Sequence, residues 1–384
     1  MNINTATRLE SVKEYYFSKK LREVAGLIQA GKPVLNMGIG SPDLPPHPSI
    51  VEALQAGMTH PRAHMYQSYQ GLPELRDAIA AFYQRNYQVA LDPSHEILPL
   101  MGSKEGIMHI SMAFLNKGDE VLIPNPGYPT YHSVTQLVEA KPVFYDLSQQ
   151  NDWQPDFEAL DALDTSKIKL MWLNYPHMPT GAKANTTTLM RLIEWAKKEE
   201  ILLINDNPYS FILNDTPQSI LSLPGAKEVA MELNSLSKSF NMAGWRVGML
   251  SGNAENIQAV LKVKSNMDSG MFYGIQQGAI AALNAPSSWF EQLNATYRKR
   301  RKLIEELATL MEATFDPDSV GMFVWAKLND TSIKAEEYID RILYEKDIFI
   351  TPGTIFGSQG KGYIRFSLCV NEEQITTAIN RMKA

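Results

Sequence analysis

The run MELNSLSKSFNMAGWRVGML places Ser235, Ser237, Lys238, Gly244, Arg246 and Gly248 in the spacing S-x-S-K-x5-G-x-R-x-G. Lysine is the side chain that condenses with a carbonyl to form a Schiff base once its environment releases the proton. Serine hydroxyls and an arginine fork suit a phosphate dianion. A nucleophile and an anion clamp therefore lie within a dozen residues of each other. Upstream, ILLINDNPY leaves Asp206 at the end of a run apolar enough to be buried, where an ionised carboxylate needs a cationic or hydrogen-bonding partner. It suits a helix cap or turn, or a carboxylate that meets a ligand's protonated ring nitrogen, with the Tyr209 phenol reaching the same ligand. In LPLMGSKEGIMHISMAF, Gly102, Ser103 and Gly106 read as a turn opening a helix, where free N–H groups and the helix dipole favour an anion. A glycine turn with no ligand would look the same.

These groups need a scaffold, and the text around them alternates in type. Compact apolar runs at Glu120 to Ile123, Lys141 to Leu147, Lys167 to Asn174, Ile201 to Asn205 and Val229 to Leu236 read as strands. Helical spacing appears in GLPELRDAIAAFYQRNY, with Leu75, Ile79 and Phe82 behind Pro73 and Glu74, and in TTTLMRLIEWAKKEE. The alternation predicts an α/β fold with a doubly wound, mostly parallel sheet covered on both faces, whose ligands bind beyond the carboxyl ends of the strands. From Ser287, a helix of about 25 residues, opened by a capping box of Ser288 and Glu291, leads into GMFVWAKL, EEYIDRILYEK, IFITPG and YIRFSLCV, which read as a smaller α+β domain. The expected division is 1–44 as an N-terminal arm and part of the small domain, 45–285 as the large domain, and 286–384 as the interdomain helix and C-terminal small domain.

Composition narrows the function classes. The chain has 384 residues, 44% of them hydrophobic and 20% charged, too apolar for a disordered polypeptide. With 36 Lys+Arg against 42 Asp+Glu the net charge is −6 and no basic block appears, which argues against nucleic acid and for small molecules. The single Cys369 cannot form an internal disulfide, and neither a secretory signal nor a membrane-spanning run is seen, so a cytoplasmic protein is expected.

Taken together, these motifs resemble the signature of the class I/II aminotransferases, fold-type I pyridoxal-phosphate enzymes, from about Gly38 to Arg365. The resemblance implies pyridoxal 5′-phosphate as cofactor and Lys238 as the Schiff-base lysine, which also moves the α-proton. It implies that Gly102, Ser103, Lys104, Ser235, Ser237 and Arg246 surround the cofactor phosphate, and that Asp206 pairs with the pyridinium nitrogen. Tyr209 would bond the ring hydroxyl, Tyr128 in NPGYP would stack on the ring, and Asn174 would belong to the same set. Arg365 matches the arginine that grips the substrate α-carboxylate, with Gly40 beside it, and Tyr66 matches a tyrosine that reaches the neighbouring subunit's cofactor. A homodimer acting on an L-amino acid and a 2-oxo acid, without a metal, is the expectation.

One position departs from the family pattern. Asn usually precedes Pro-Thr-Gly, but here LNYPHMPTG puts Met178 there, and a thioether cannot donate a hydrogen bond. Tyr209, His177 or Asn174 would have to compensate, unless the change is neutral drift. The motifs look most like the branch of LL-diaminopimelate, alanine and aspartate aminotransferases. In some of these a lysine at the position of Lys104 recognises a distal carboxylate, which suggests glutamate and 2-oxoglutarate as one pair. A carbon–sulfur lyase on the same fold and a non-catalytic ligand-binding module are the competing functions.

Overall fold

The computed structural model describes residues 3–10 and 16–384. Seven strands build the largest sheet: Ile97–Leu100 (β1), Glu120–Asn125 (β2), Lys141–Asp146 (β3), Ile168–Leu173 (β4), Leu202–Asp206 (β5), Ala230–Ser235 (β6) and Gly248–Ser251 (β7). Their spatial order is β1-β7-β6-β5-β4-β2-β3, parallel except that β7 runs antiparallel to both neighbours. Alternate side chains serve opposite cores. Leu122, Met171 and Leu203 join one apolar cluster, while Val121, Leu170 and Ile204 join the other. Strands buried on both faces need continuous apolar runs, which is why β2, β4, β5 and β6 read so plainly, whereas the edge strand β3 is partly exposed. β1 and β7 escape that reading because four residues between turns leave almost no pattern.

Two flanking helices form where their signals lie. Pro73–Tyr87 starts on Pro73 and buries Leu75, Ile79 and Phe82. Thr186–Lys198 is capped by Asn185, whose side chain accepts from the Thr188 N–H at 3.1 Å, and it buries Leu189, Leu192, Ile193 and Ala196. The interdomain helix Ser288–Leu310 exists, but the expected capping box does not form. Ser287 precedes it in helical conformation without a side-chain cap. Trp289 and Phe290 N–H groups are instead satisfied by the carbonyls of Pro286 and Ser287, so Ser288 already lies inside the helix and has no capping role to fill.

Beyond that helix, a four-stranded antiparallel sheet holds Thr351–Pro352, Tyr363–Ser367, Phe323–Leu328 and Ala313–Phe315 in that order. The N-terminal segment is tied to this part of the chain: Leu35–Asn36 pairs in parallel with Ile348–Phe349. Its helix Tyr16–Gln29 sets Val24 against Leu343 and Phe349, and Lys20 bonds Asp340 at 2.6 Å. Among the described residues no helix is long and apolar enough to cross a membrane.

Candidate active site

A cavity of about 510 Å³ opens where Asn174, Asp206 and Ser235 sit at or just past the carboxyl ends of β4, β5 and β6. Ser103, Lys104, Tyr128, Tyr209, Ser237, Lys238, Arg246, Arg365 and Gly40 line it as well. Elements far apart in sequence close its sides, through Tyr16, Phe17 and Leu21 of the N-terminal helix and through Phe323 and Phe356.

Lys238 projects from the single helical turn Leu236–Ser239 that follows β6. Ser235 starts the turn, its Oγ accepting from the Ser237 N–H at 3.0 Å and donating to the Val247 carbonyl at 3.2 Å. The Lys238 ammonium donates to the Gly40 carbonyl at 2.6 Å. Burial pushes its pKa down, the Cys369 thiol opposes this, and the positive charges of Arg365 and Arg246 add to the lowering. Burial and the two arginines favour the neutral amine a nucleophile needs.

Asp206 ends β5 and is 5% exposed. Its Oδ2 accepts from the Tyr131 hydroxyl at 2.8 Å, whereas Oδ1 is buried with no partner among the described residues. Burial lifts its pKa to about 7; the Tyr131 bond opposes that rise and the charge of Glu232 assists it. An orphaned carboxylate oxygen is costly unless a cationic donor meets it. Tyr131, which carries no motif signal of its own, is held by stacking on Trp172 at 4.9 Å. Asn174 secures the same floor, donating to the Asp206 carbonyl at 2.6 Å and accepting from the Met178 N–H at 3.0 Å.

The anion end depends on close backbone approach. Gly102 has φ +95°, and a Cβ there would lie 2.1 Å from Arg246 Nη2. A Cβ on Gly248 would lie 2.9 Å from Ser103 N. Gly102 thus does not line the cavity; it lets the turn seat directly on the Arg246 guanidinium. Arg246 itself adopts a left-handed backbone, φ 56°, and donates to the Ala243 carbonyl at 2.8 Å. Gly244, by contrast, faces open space.

Arg365 forms the opposite wall and is 5% exposed. It donates from Nη2 to the Gly38 carbonyl at 2.8 Å, and Met178 Sδ lies 3.5 Å from Nη1. The rings of Phe323, Phe356 and Phe17 surround it at 4.0, 4.6 and 6.0 Å. Burial lowers its pKa to about 10, Tyr209 and Cys369 resisting, so the group stays cationic near neutrality. Among the described residues its contacts are a carbonyl, a thioether and three rings; none is an anion, and Nε has no partner. His177 does not reach the cavity. It is buried against Thr180 Oγ1 at 2.8 Å, with its pKa lowered to about 3 by burial, and it is a loop histidine. Tyr66 stands outside the cavity at 91% exposure.

A neutralisable lysine, a buried carboxylate with one unpaired oxygen, an anion turn on an arginine and a second, buried arginine share one cavity. The family model for aminotransferase class I and II matches residues 32–382, and the chain belongs to that family. It is similar to the LL-diaminopimelate aminotransferases of Aquifex aeolicus, 38% identical over 98% of this chain and 97% of that one, and of Dehalococcoides mccartyi (strain ATCC BAA-2266 / KCTC 15142 / 195), 40% identical with the same coverage. The solved apo structure of BacF from Bacillus subtilis superimposes with a TM-score of 0.95 at 36% identity, covering 100% of this chain and 98% of that one. The protein is a pyridoxal-phosphate-dependent aminotransferase. Its residues fit that cofactor, since Asp206 Oδ1 lacks the N–H donor that a protonated ring nitrogen offers.

Proposed function

We propose that this aminotransferase acts on dicarboxylic amino acids, with glutamate and 2-oxoglutarate as one pair and LL-diaminopimelate as a second amino acid. The observation that carries this reading is that two cationic side chains, Arg365 and Lys104, line one cleft. Arg365, ringed by aromatic groups, takes the α-carboxylate in a two-donor fork, and Lys104 reads the distal carboxylate as a point charge. All three substrates carry carboxylates at both ends. The name borne by the relatives supports the third.

Ser103, Ser235, Ser237 and Arg246 hold the cofactor phosphate, Asp206 Oδ1 keeps the ring nitrogen protonated, and Tyr128 and Tyr209 contact the ring. Bound there, the cofactor supplies a sink for the electrons left when the substrate α-proton departs. Lys238 would anchor the cofactor and, once displaced as a neutral amine, would take that proton from the substrate α-carbon and deliver it to the cofactor carbon. Gly40 receives the ammonium through its carbonyl. Tyr66 belongs to a partner copy's site: it sits on a surface with Met65, Tyr69, Met267 and Phe272, each at least 37% exposed, which a second subunit would cover.

The test is a half-reaction. Holoenzyme mixed with L-glutamate or LL-diaminopimelate alone should lose its absorbance band and regain it on adding 2-oxoglutarate, with borohydride trapping Lys238 only beforehand. Lys104→Ala should lower kcat/KM for both dicarboxylates by about tenfold and for L-alanine by less than about twofold. Equal losses would remove the distal-carboxylate role. Ammonia release without an acceptor would mark an eliminating enzyme instead.

A further inference from the structure

The helix Ser103–Phe114 carries a second pair of polar side chains that never enters the cavity. Glu105 and His109 sit one turn apart, and His109 is 2% exposed. Glu105 Oε1 lies 2.9 Å from His109 Nε2, and its Oε2 accepts from the Met101 N–H. A carboxylate only accepts, so Nε2 carries the proton and donates; Nδ1 is buried with no partner among the described residues.

We infer that Glu105 and His109 are positioning residues for the cofactor phosphate: His109 orients the Glu105 carboxylate, which fixes the turn Met101–Gly102–Ser103. This rests on the reading above that Ser103 and Arg246 hold that phosphate. The turn has little freedom to be wrong. Gly102 abuts Arg246 on one side, and Ser103 N abuts Gly248 on another, so a small slip separates the Ser103 donors from the guanidinium that must share their anion. A turn with φ +95° at its centre has no helical bond of its own to hold its leading N–H, and Glu105 supplies that acceptor from inside the helix. The carboxylate would swing freely among several rotamers without a second contact, and the buried His109 ring removes that freedom.

A metal is the rival use of this cluster, because ligating atoms of Glu105, His109 and Asp268 lie within 4.8 Å of one another. The positive charge is already supplied. Lys264, buried with its partner, bonds both Asp268 oxygens at 2.9 and 2.7 Å.

Dissociation constants of the apoprotein for pyridoxal phosphate and for pyridoxal, read by fluorescence quenching, separate a phosphate effect from general damage. His109→Leu should weaken pyridoxal phosphate by about tenfold and pyridoxal by less than about twofold. His109→Gln, which keeps an N–H near Nε2, should restore most of the loss, and Glu105→Ala should lose at least as much as His109→Leu. Equal weakening of both ligands, or unchanged phosphate-ester affinity in His109→Leu, overturns the inference. A wild-type apoprotein that binds pyridoxal as tightly as its phosphate, or Ser103→Ala and Arg246→Ala without loss, overturns the phosphate assignment and this inference with it.

Discussion

The floor and the wall of the cleft are built in different ways. The floor, with Asp206, Ser235, Lys238 and Arg246, grows from the ends of β5 and β6 and the turns between β6 and β7, so neighbouring strands of one sheet anchor every position. The wall, with Arg365, Met178 and the rings of Phe17, Phe323 and Phe356, gathers side chains from the N-terminal helix, a loop after β4, the small sheet and the helical turn Gly353–Phe356. On the proposed reading, floor residues would hold the cofactor and the reacting lysine, and wall residues would hold the substrate's α-carboxylate. Changes to the floor should therefore appear in kcat and changes to the wall in KM.

Asp206→Asn tests the floor and should have the largest effect, lowering kcat by about 10²-fold or more with KM little altered. It also predicts a stability change of unusual sign. Burial raises the folded pKa to about 7 from the ordinary 3.8, so between about pH 4 and pH 7 the folded apoprotein retains a proton that the unfolded chain has lost. Ionisation of Asp206 thus opposes folding as pH rises through that window. Apo Asp206→Asn should melt a few degrees above the apo wild type at pH 8, with the gap closing toward pH 4.5. Bound cofactor should reverse the order at pH 8, because the wild-type carboxylate then meets a cation. A wild-type apoprotein that melts above Asp206→Asn at pH 8 would remove the desolvation account of the floor.

The floor was legible in the sequence because its parts are crowded: one strand end, one turn and one glycine-bearing return strand spell S-x-S-K-x5-G-x-R-x-G in a single run. Even there the letters were uneven. Gly248 answers a close approach to Ser103, while Gly244 meets nothing, and a pattern match weights the two alike. Tyr131 has no such signal although it holds Asp206, since a tyrosine three residues after Tyr128 is ordinary helix content without sight of its hydroxyl on the carboxylate. The aromatic box was invisible for a simpler reason. Phe17, Phe323 and Phe356 share no segment, and only the pairing of Leu35–Asn36 with Ile348–Phe349 and the register of Trp325 against Arg365 bring them together.

Arg365→Lys tests the wall at intermediate size. An ammonium cannot reproduce a planar fork, so KM for glutamate should rise about 10- to 100-fold while kcat falls by less than about fivefold. Steady-state kinetics over a glutamate series decides it. A kcat loss at unchanged KM would mean that Arg365 acts on the reacting atoms, and the division between floor and wall would fail.

Met178→Asn should have the smallest effect and is the sharpest probe of where the two regions meet. The thioether is a weak acceptor 3.5 Å from Arg365 Nη1, on a loop whose Met178 N–H is fixed by Asn174. Asparagine would bring Arg365 a better acceptor and offer an amide donor toward the cofactor ring hydroxyl. If that hydroxyl is already served by Tyr209, the added donor is redundant, and kcat/KM should move by less than about threefold with the cofactor's absorbance maximum unchanged. A shift of that maximum together with a tenfold change in kcat would show that this wall position also governs cofactor electronics. The methionine would then tune the reaction itself, because the contact it forgoes is one that only the ring, not the substrate's side chain, could have used.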